Sequence, residues 1–338
     1  MATLDTSRPA APAELVAGLS LRAWKLVGLA AVLAAASILP FVITSYQLLL
    51  ATQVIVYAVA LLGLNILTGY NGQFSLGHGA FYAIGAYTTA ILLDKTGIPY
   101  WATIPVAGFV CLAVGFLFGL PALRLEGHYL ALATFALAIA TPQLLKFKDF
   151  DSLTGGVQGI VINAPDTPFG LPIRDDQWLY FFCLFWTIPL FVIAWNLLRG
   201  RTGRALVAIR DHPLAAQSMG IDTATYKSIT FGVSAMYTGI AGALGALLAQ
   251  FVSPDSFDLF LSIRFLVGIV VGGLASMTGA FFGAIFVEFV PNLADLVSKA
   301  APQAIYGAVL IGCMYLMPTG VMGLIRGLGD RLRRLVAR

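Results

Sequence analysis

The sequence predicts an all-α polytopic membrane protein with about ten transmembrane crossings, some of them short or broken. Three observations support this prediction. Of the 338 residues, 59% are hydrophobic and 11% are charged, whereas about a quarter of the residues of a soluble domain are charged. The mean hydropathy is +0.87. The apolar residues form runs of about 20, the length of a helix that spans a bilayer.

Six predicted spans precede residue 199. Residues 45–93 contain no Asp, Glu, Lys or Arg, and this stretch is too long for one membrane helix. It must therefore fold back, and the glycine-rich segment Gly69–Gly79 is the predicted break. The six spans are Leu26–Thr44, Gln47–Thr68, Ala80–Leu93, Tyr100–Ala122, Tyr129–Leu145 and Trp178–Leu198.

The charge of the connecting segments sets the predicted orientation. The loop 199–227 has five basic and two acidic residues, and basic loops of this kind remain in the cytoplasm. The polar N-terminal segment 1–25 shows no signal-peptide pattern, so we expect it to be retained in the cytoplasm. The basic tail 326–338 is predicted to be cytoplasmic as well, which leaves a transmembrane domain at 26–325.

Parity then decides the number of crossings after the loop. Because both ends of this half are predicted to be cytoplasmic, the number of crossings must be even. The sequence after the loop contains only three apolar runs. The middle run must therefore contain two crossings, divided near Gly272–Gly279, which gives four crossings in this half. The predicted outer loops 146–177 and 251–262 are net acidic, in agreement. The three runs are Ser228–Ala249, Phe265–Val290 and Gln303–Ile325.

Glycine patterns predict a packed bundle rather than a single anchor. Three GxxxG pairs, at Gly115–Gly119, Gly268–Gly272 and Gly279–Gly283, permit helix backbones to approach closely in a bilayer. The short sequences Gly79–Tyr82 and Gly279–Phe282 resemble one another, and each follows a glycine-rich break. A match of four residues fits chance and an internal repeat equally.

Charge and cysteine placement exclude several functions. The basic residues cluster in short segments beside apolar runs, so the net charge of +4 reflects membrane topology rather than a nucleic-acid surface. Cys111, Cys183 and Cys313 lie singly in apolar runs, so neither a disulfide nor a metal site is predicted. The chain lacks a G-x-x-x-x-G-K-[ST] phosphate loop, HExxH and paired carboxylates. We therefore expect no catalytic site, no bound cofactor and no enzyme activity.

The residue pattern of the predicted cytoplasmic loop indicates short helices rather than a simple connector. A short amphipathic turn is predicted over 205–209. A second helix follows over 214–219, with Pro213 in its first turn and Gly220 after its end. Such a helix can dock into a groove of another protein or lie on the membrane surface.

The loop resembles the ATPase-coupling segment of ABC importer permeases, the EAA-type loop. Ala215, Ala216 and Gly220 stand at the two alanines and the glycine of that motif. Leu214 replaces its leading glutamate, so a contact made by that carboxylate elsewhere is not expected here. The fuller pattern resembles the LivM branch of the branched-chain amino acid permeases and comprises Arg204, Ala205, Ile209, Arg210, Asp211, Ala215, Ala216, Met219 and Gly220.

The resemblance extends over about residues 45–325. Its segments include GQFSLGHGAFYAIGAY, LRLEGHYLALAT, SLTGGVQGI, SPDSF, VGGLASMTGAFFGA and MPTGVMGLI. It implies a type II-like ABC importer permease bundle in a bacterial inner membrane. It also implies import of branched-chain amino acids into the cytoplasm. Similar permeases for urea, amides or aromatic carboxylates leave the substrate open.

The resemblance further implies partners. A second permease subunit of the LivH type would complete the pathway, and two ATPase subunits of the LivG and LivF types would dock on the cytoplasmic loops and hold ATP and Mg²⁺. An extracytoplasmic binding protein would deliver the substrate. A secondary transporter that works without ATP is the alternative of a different class. It would require an intramembrane coupling acid, and the predicted spans contain almost no acids.

Polar residues at the predicted break are candidates for the substrate pathway, because a broken span exposes helix ends that can bind the charged groups of an amino acid. The same side chains can instead satisfy the broken backbone. Glu288 is a further candidate, since an acid in an apolar segment is costly, unless it lies at the outer interface. Gly155 and Gly156 fit either a docking site for the binding protein or a turn with positive φ. The break candidates are Asn65, Thr68, Asn71, Gln73, Ser75 and His78.

Overall fold

The computed structural model describes residues 28, 34–122, 127–163, 165, 167, 172–297, 299, 301–317, 319–325 and 327. The predicted N-terminal segment 1–25, much of the first predicted span and nearly all of the tail 326–338 lie outside the described residues. Residues 1–48 and 49–338 form two compact units. The first unit contains a helix over residues 34–42, here α1.

The described chain is almost entirely helical, as predicted. Two short strands, β1 (Ile160–Val161) and β2 (Phe251–Val252), form an antiparallel pair. The further helices are α2 (Ser45–Asn65), α3 (His78–Thr96), α4 (Tyr100–Ala122), α5 (His128–Leu145), α6 (Asp151–Thr154), α7 (Asp175–Arg199), α8 (Arg201–Asp211), α9 (Pro213–Ser218), α10 (Thr223–Ala249), α11 (Leu259–Gly272), α12 (Met277–Val297) and α13 (Pro302–Leu316).

Among the described residues, seven helical segments are long and apolar enough to cross a membrane. They are Ser45–Tyr70, Tyr100–Pro121, His128–Leu145, Asp175–Arg199, Thr223–Ala249, Met277–Ala294 and Ala304–Ile325. This agrees with a polytopic membrane protein. The less apolar α3 and the 14-residue α11 are not among the seven.

The predicted division of the second half is confirmed, because α11 ends at Gly272 and α12 begins at Met277. The predicted start of this region at Phe265 is wrong, since α11 begins at Leu259. Arg264 lies within this helix and its side chain is only partly exposed, so its charge does not end the apolar segment. The third predicted span, Ala80–Leu93, is likewise longer in the structure and runs from His78 to Thr96.

The core of the second unit forms around α10, which packs against α3 and α4. Small residues allow this contact. A Cβ atom on Gly85 would lie 2.0 Å from the Gly239 carbonyl oxygen, and one on Gly115 would lie 2.3 Å from Ala235 Cβ. In the same way, a Cβ on Gly272 would lie 1.9 Å from the Gly279 carbonyl oxygen. The GxxxG pairs therefore lie at helix contacts, as predicted.

Short elements join the two loops that the sequence predicts to lie outside. Ile160 of β1 pairs with Val252 of β2, and Lys146 forms an ion pair with Asp255. Gly155 and Gly156 lie in the turns before β1 and have φ values of +70° and +52°. These angles fit the turn interpretation, because glycine adopts positive φ without a steric cost.

Close approach of α3 and α10 gives the first testable prediction. We expect Gly85→Ala to destabilise the protein by about 1–3 kcal/mol, since the added methyl group has no room and the helices must move apart. The check is the thermal unfolding midpoint in detergent. The matched control is Gly312→Ala, where an added Cβ meets nothing within 4 Å. An equal midpoint for both variants would contradict close packing at Gly85.

Candidate functional site

The 199–227 loop folds into α8 and α9. The helix α9 confirms the second helix predicted for this loop and has Pro213 in its first turn. Gly220 follows its end with a φ of +82°. The Gly220 N–H donates to the Gln217 carbonyl oxygen at 2.9 Å and the Ile221 N–H to that of Ala216 at 3.1 Å. These two bonds form the Schellman arrangement that ends many helices at a glycine.

The first helix of the loop is longer than the predicted single turn, because α8 has 11 residues. Ala205, Leu206 and Ile209 are buried, as their spacing predicts, and Arg204 is exposed. The pattern identified the buried face, but it missed the polar residues on the other side that continue the helix. Asp222 then caps α10 by accepting from the Ala224 and Thr225 N–H groups.

Two apolar side chains project from the α9 region. Leu214 is 80% exposed and Met219 is 83% exposed, whereas Ala216 is buried at 4%. Ala215 and Asp211 are exposed as well. An apolar pair projecting from a well-ordered loop is a typical feature of a protein-contact surface.

Arg210 connects this loop to the break that follows α2. Its Nη1 donates to the Gly69 carbonyl oxygen at 2.8 Å, and its Nε donates to Asp211 Oδ1 at 2.9 Å. Gly72 lies against the same side chain, since a Cβ there would be 2.7 Å from Arg210 Cγ. The sequence placed Arg210 in the loop but gave no sign of this contact.

The predicted break between α2 and α3 is confirmed. The helix α2 continues as a π-helical turn, Ile66–Tyr70, and Gly72 then turns the chain with a φ of +74°. Thr68 Oγ1 donates to the Gln73 carbonyl oxygen at 3.0 Å, and Asn71 Nδ2 donates to Gln73 Oε1 at 2.6 Å. These side chains therefore supply hydrogen bonds within the irregular segment.

Ser75 and His78 belong to a buried hydrogen-bond relay. Ser234 Oγ donates to the Gly63 carbonyl oxygen at 2.6 Å, so it accepts from His78 Nε2 at 2.7 Å. Nδ1 is then the acceptor of a neutral imidazole, and Ser75 Oγ donates to it at 3.0 Å. The relay fixes the start of α3 against α10. Among the described residues, no cluster of metal-binding side chains occurs.

Asn65 joins this break to the second one. Its Nδ2 donates to the Ser276 carbonyl oxygen at 2.7 Å, and its Oδ1 accepts from the Ala275 N–H at 2.9 Å. Ala275 has a φ of +54°, a conformation that is uncommon for a residue with a side chain. One buried amide therefore satisfies both backbone groups of a strained turn between α11 and α12.

The six polar candidates at the break are all buried, and each forms a hydrogen bond within the chain. They are Asn65, Thr68, Asn71, Gln73, Ser75 and His78. Their contacts favour the interpretation that they satisfy the broken backbone. Glu288 lies elsewhere, in a cleft of about 350 Å³. The lining of this cleft consists of Leu49, Gln53, Tyr57, Tyr82, Gly245, Ala246, Ala249, Phe251, Val252, Ser256, Phe257, Leu261 and Glu288.

Aromatic rings form much of the wall of this cleft. Tyr57 and Tyr82 each pack against Phe265, with centroids 5.5 and 5.6 Å apart. Sequence reasoning missed Gln53, Tyr57 and Tyr82. A signal was present in α2, because Gln53 and Tyr57 are four residues apart and share one face of an otherwise apolar helix.

The whole chain was compared with known proteins. Residues 46–318 match the family model of the permease component of branched-chain amino acid transport systems. The chain belongs to this family. Membership makes it a multi-pass transporter permease rather than an enzyme. No solved structure matches it.

Curated relatives agree with this membership. The permease is 33% identical to the LivM permease of a high-affinity branched-chain amino acid transport system from Escherichia coli K12, over 88% of this chain and 75% of the relative. It is also 33% identical to LivM of Salmonella typhimurium, over 85% of this chain and 72% of the relative. The LivH permease of E. coli K12 is 23% identical, over 79% and 91%.

The Asn65 contacts give a prediction for the permease. We expect Asn65→Leu to lower the free energy of unfolding by about 1–3 kcal/mol or more, because two buried backbone groups lose their partner. The thermal midpoint in detergent measures this loss. Asn292→Leu is the matched control, since the hydrogen bonds of that amide go to Glu288 within the same helix. If the control is destabilised as much as Asn65→Leu, the two breaks do not depend on the bridge.

Proposed function

We propose that this permease is a transmembrane subunit of an ABC importer that moves branched-chain or similar apolar amino acids into the cytoplasm. ATP hydrolysis on partner subunits drives the transport, and ATP and Mg²⁺ bind there rather than on this chain. The observation that supports this most is the direct contact of a coupling-type loop with a broken membrane helix, through Arg210 and Gly69. Family membership and the named function of the relatives agree with it.

The proposed importer has two different permease subunits. Similarity to both LivM and LivH supports a second, related permease beside this one. Two ATPase subunits dock on the cytoplasmic side, and an extracytoplasmic binding protein delivers the amino acid to the outer side.

The ATPase-docking surface is the 199–227 loop. Leu214 stands where the EAA-type motif has a glutamate, and it is exposed together with Met219. Docking here therefore uses an apolar contact in place of a carboxylate contact. The other exposed members of the proposed surface are Arg204, Asp211, Ala215 and Gly220. The buried Ala205 and Ala216 support this surface, and Arg210 joins it to Gly69.

The proposed topology has ten crossings with both ends in the cytoplasm. The seven apolar segments account for most of them, and α1, α3 and α11 supply the other three. The 27 residues of α10 span about 40 Å, a length that supports positions of α9 and β2 on opposite sides of the membrane. The membrane-spanning domain covers 26–325 in a bacterial inner membrane, between the segment 1–25 and the tail 326–338.

The decisive experiment is uptake of radiolabelled leucine by proteoliposomes. They hold the permease, its partner permease and the ATPases, with binding protein outside and ATP inside. ATP-dependent uptake supports the proposal, whereas uptake without ATP would favour a secondary transporter. If urea, an amide or an aromatic carboxylate is taken up instead of leucine, the mechanism stands and the substrate changes.

The exposed apolar pair can be tested in the same system. We expect the double variant Leu214→Ser and Met219→Ser to reduce uptake and ATPase activity together, because the ATPases lose an apolar contact. Co-purification of the ATPases with the permease measures docking directly. Ser218→Ala, on the same short helix, is the control and should retain both activities. Unchanged docking in the double variant would exclude this surface as the contact.

The link from the loop to the break gives a separate prediction. We expect Arg210→Met to reduce uptake about tenfold while the ATPases remain bound, because a hydrogen bond from a charged group is worth about 1.5–3 kcal/mol. Arg201→Met removes an exposed arginine from the start of α8 and serves as the control. An equal effect of the two substitutions would show that Arg210 acts only through its general charge.

A further inference from the structure

The cleft around Glu288 extends to the outer end of the proposed membrane domain. Glu288 is the twelfth residue of α12, about 17 Å from the break at its start. Gln53 and Tyr57 lie in α2, one to two turns beyond Leu49 at its outer end. Phe251 and Val252 line the cleft from the segment after α10, which is the end of that helix away from the 199–227 loop.

Glu288 places a carboxyl group in the cleft, and it is the only carboxylic acid among the lining residues. Within the described part of the chain, the ion pairs involve other residues, so none engages this group. The Asn292 side chain, one turn further along α12, hydrogen-bonds the Glu288 carboxyl group, and Arg264 of α11 is close enough for its charge to act on it. An acid in an apolar segment is costly, and acids at such positions are commonly functional.

The remaining lining matches the other parts of an apolar amino acid. Tyr57 and Tyr82 place ring faces in the wall, and aromatic rings attract ammonium groups. Gln53 and the two phenol groups can donate hydrogen bonds to a carboxylate. Leu261 and Phe257 supply apolar surface for the side chain. A volume of about 350 Å³ lies at the small end of the range for ligand pockets, about 300–1,000 Å³.

We propose that this cleft is the site in the permease through which the amino acid passes, and that Glu288 binds its ammonium group. The inference rests on the proposed function and names the part of the chain that touches the substrate. The cleft is separate from the cavity that the break residues Asn71 and Gln73 line.

The first test compares Glu288→Gln with the wild type in the reconstituted importer. We expect the apparent KM for radiolabelled leucine to rise about 10- to 100-fold, as loss of a charge-assisted hydrogen bond predicts. Co-purification of the partner permease and the ATPases with the variant measures assembly separately from uptake. Asp94→Asn, an exposed acid that pairs only with Lys95 among the described residues, is the matched control. A parallel loss of uptake and co-purification, or no change in KM, would overturn the assignment.

The second test measures protection of a cysteine in the cleft. Cys313→Ala removes the partly exposed native thiol, while Cys111 and Cys183 are buried. In this background, leucine delivered by the binding protein should slow the reaction of Gln53→Cys with a charged thiol reagent. Lys95→Cys, outside the cleft, should react at the same rate with and without leucine. Equal rates at Gln53→Cys would place the pathway elsewhere.

The two tests separate the inference from the proposed function. If wild-type proteoliposomes import another solute instead of leucine, the proposed substrate is wrong, and protection of Gln53→Cys by that solute still tests the cleft. If leucine is imported but neither the Glu288 variant nor the protection assay responds, the importer stands and the cleft is not its pathway.

Discussion

Every interruption of a helix inside a bilayer leaves backbone groups that lipid cannot satisfy, and the structure depends on how two such interruptions are closed. The first follows α2 and the second separates α11 from α12. Asn65 closes the second with two hydrogen bonds to Ala275 and Ser276. Arg210 closes part of the first through Gly69. Each break is therefore stabilised by hydrogen bonds from a residue in a distant part of the chain. These bonds connect the end of α2 with the turn between α11 and α12, and the 199–227 loop with the break after α2.

This arrangement explains why polar residues are concentrated near the breaks although the described residues form no cluster that could hold a metal ion. The relay from Ser75 through His78 to Ser234 fixes the start of α3. Gly79, one residue on, donates its N–H to Ser262 of α11 at 2.9 Å. These side chains stabilise the break, and the cleft around Glu288 offers a separate surface for the proposed pathway.

The sequence predicted the periodic features well and the long-range contacts poorly. Charge counting and parity predicted a break near Gly272–Gly279, because loop charges can be counted without knowledge of tertiary contacts. Turn chemistry predicted Gly220 after the end of α9, because this feature depends on neighbouring residues alone. No local pattern could connect Asn65 with Ala275, which is 210 positions away. The predicted start of this region at Phe265 was wrong, since α11 begins at Leu259 and includes Arg264. Gln53 and Tyr57 are four residues apart and therefore share one face of α2. The sequence analysis missed this face because the rest of the helix is strongly apolar.

The helix α2 connects the two functional regions physically. Gln53 and Tyr57 lie on it in the outer cleft, and Asn65 ends it at the contact with the second break. Twelve residues, about 18 Å of helix, separate Gln53 from Asn65. The π-helical turn at 66–70 follows directly, and such turns often mark functional positions in helices. In the proposed importer, a movement that the 199–227 loop imposes on Gly69 would therefore act on the same helical segment that carries Gln53 and Tyr57.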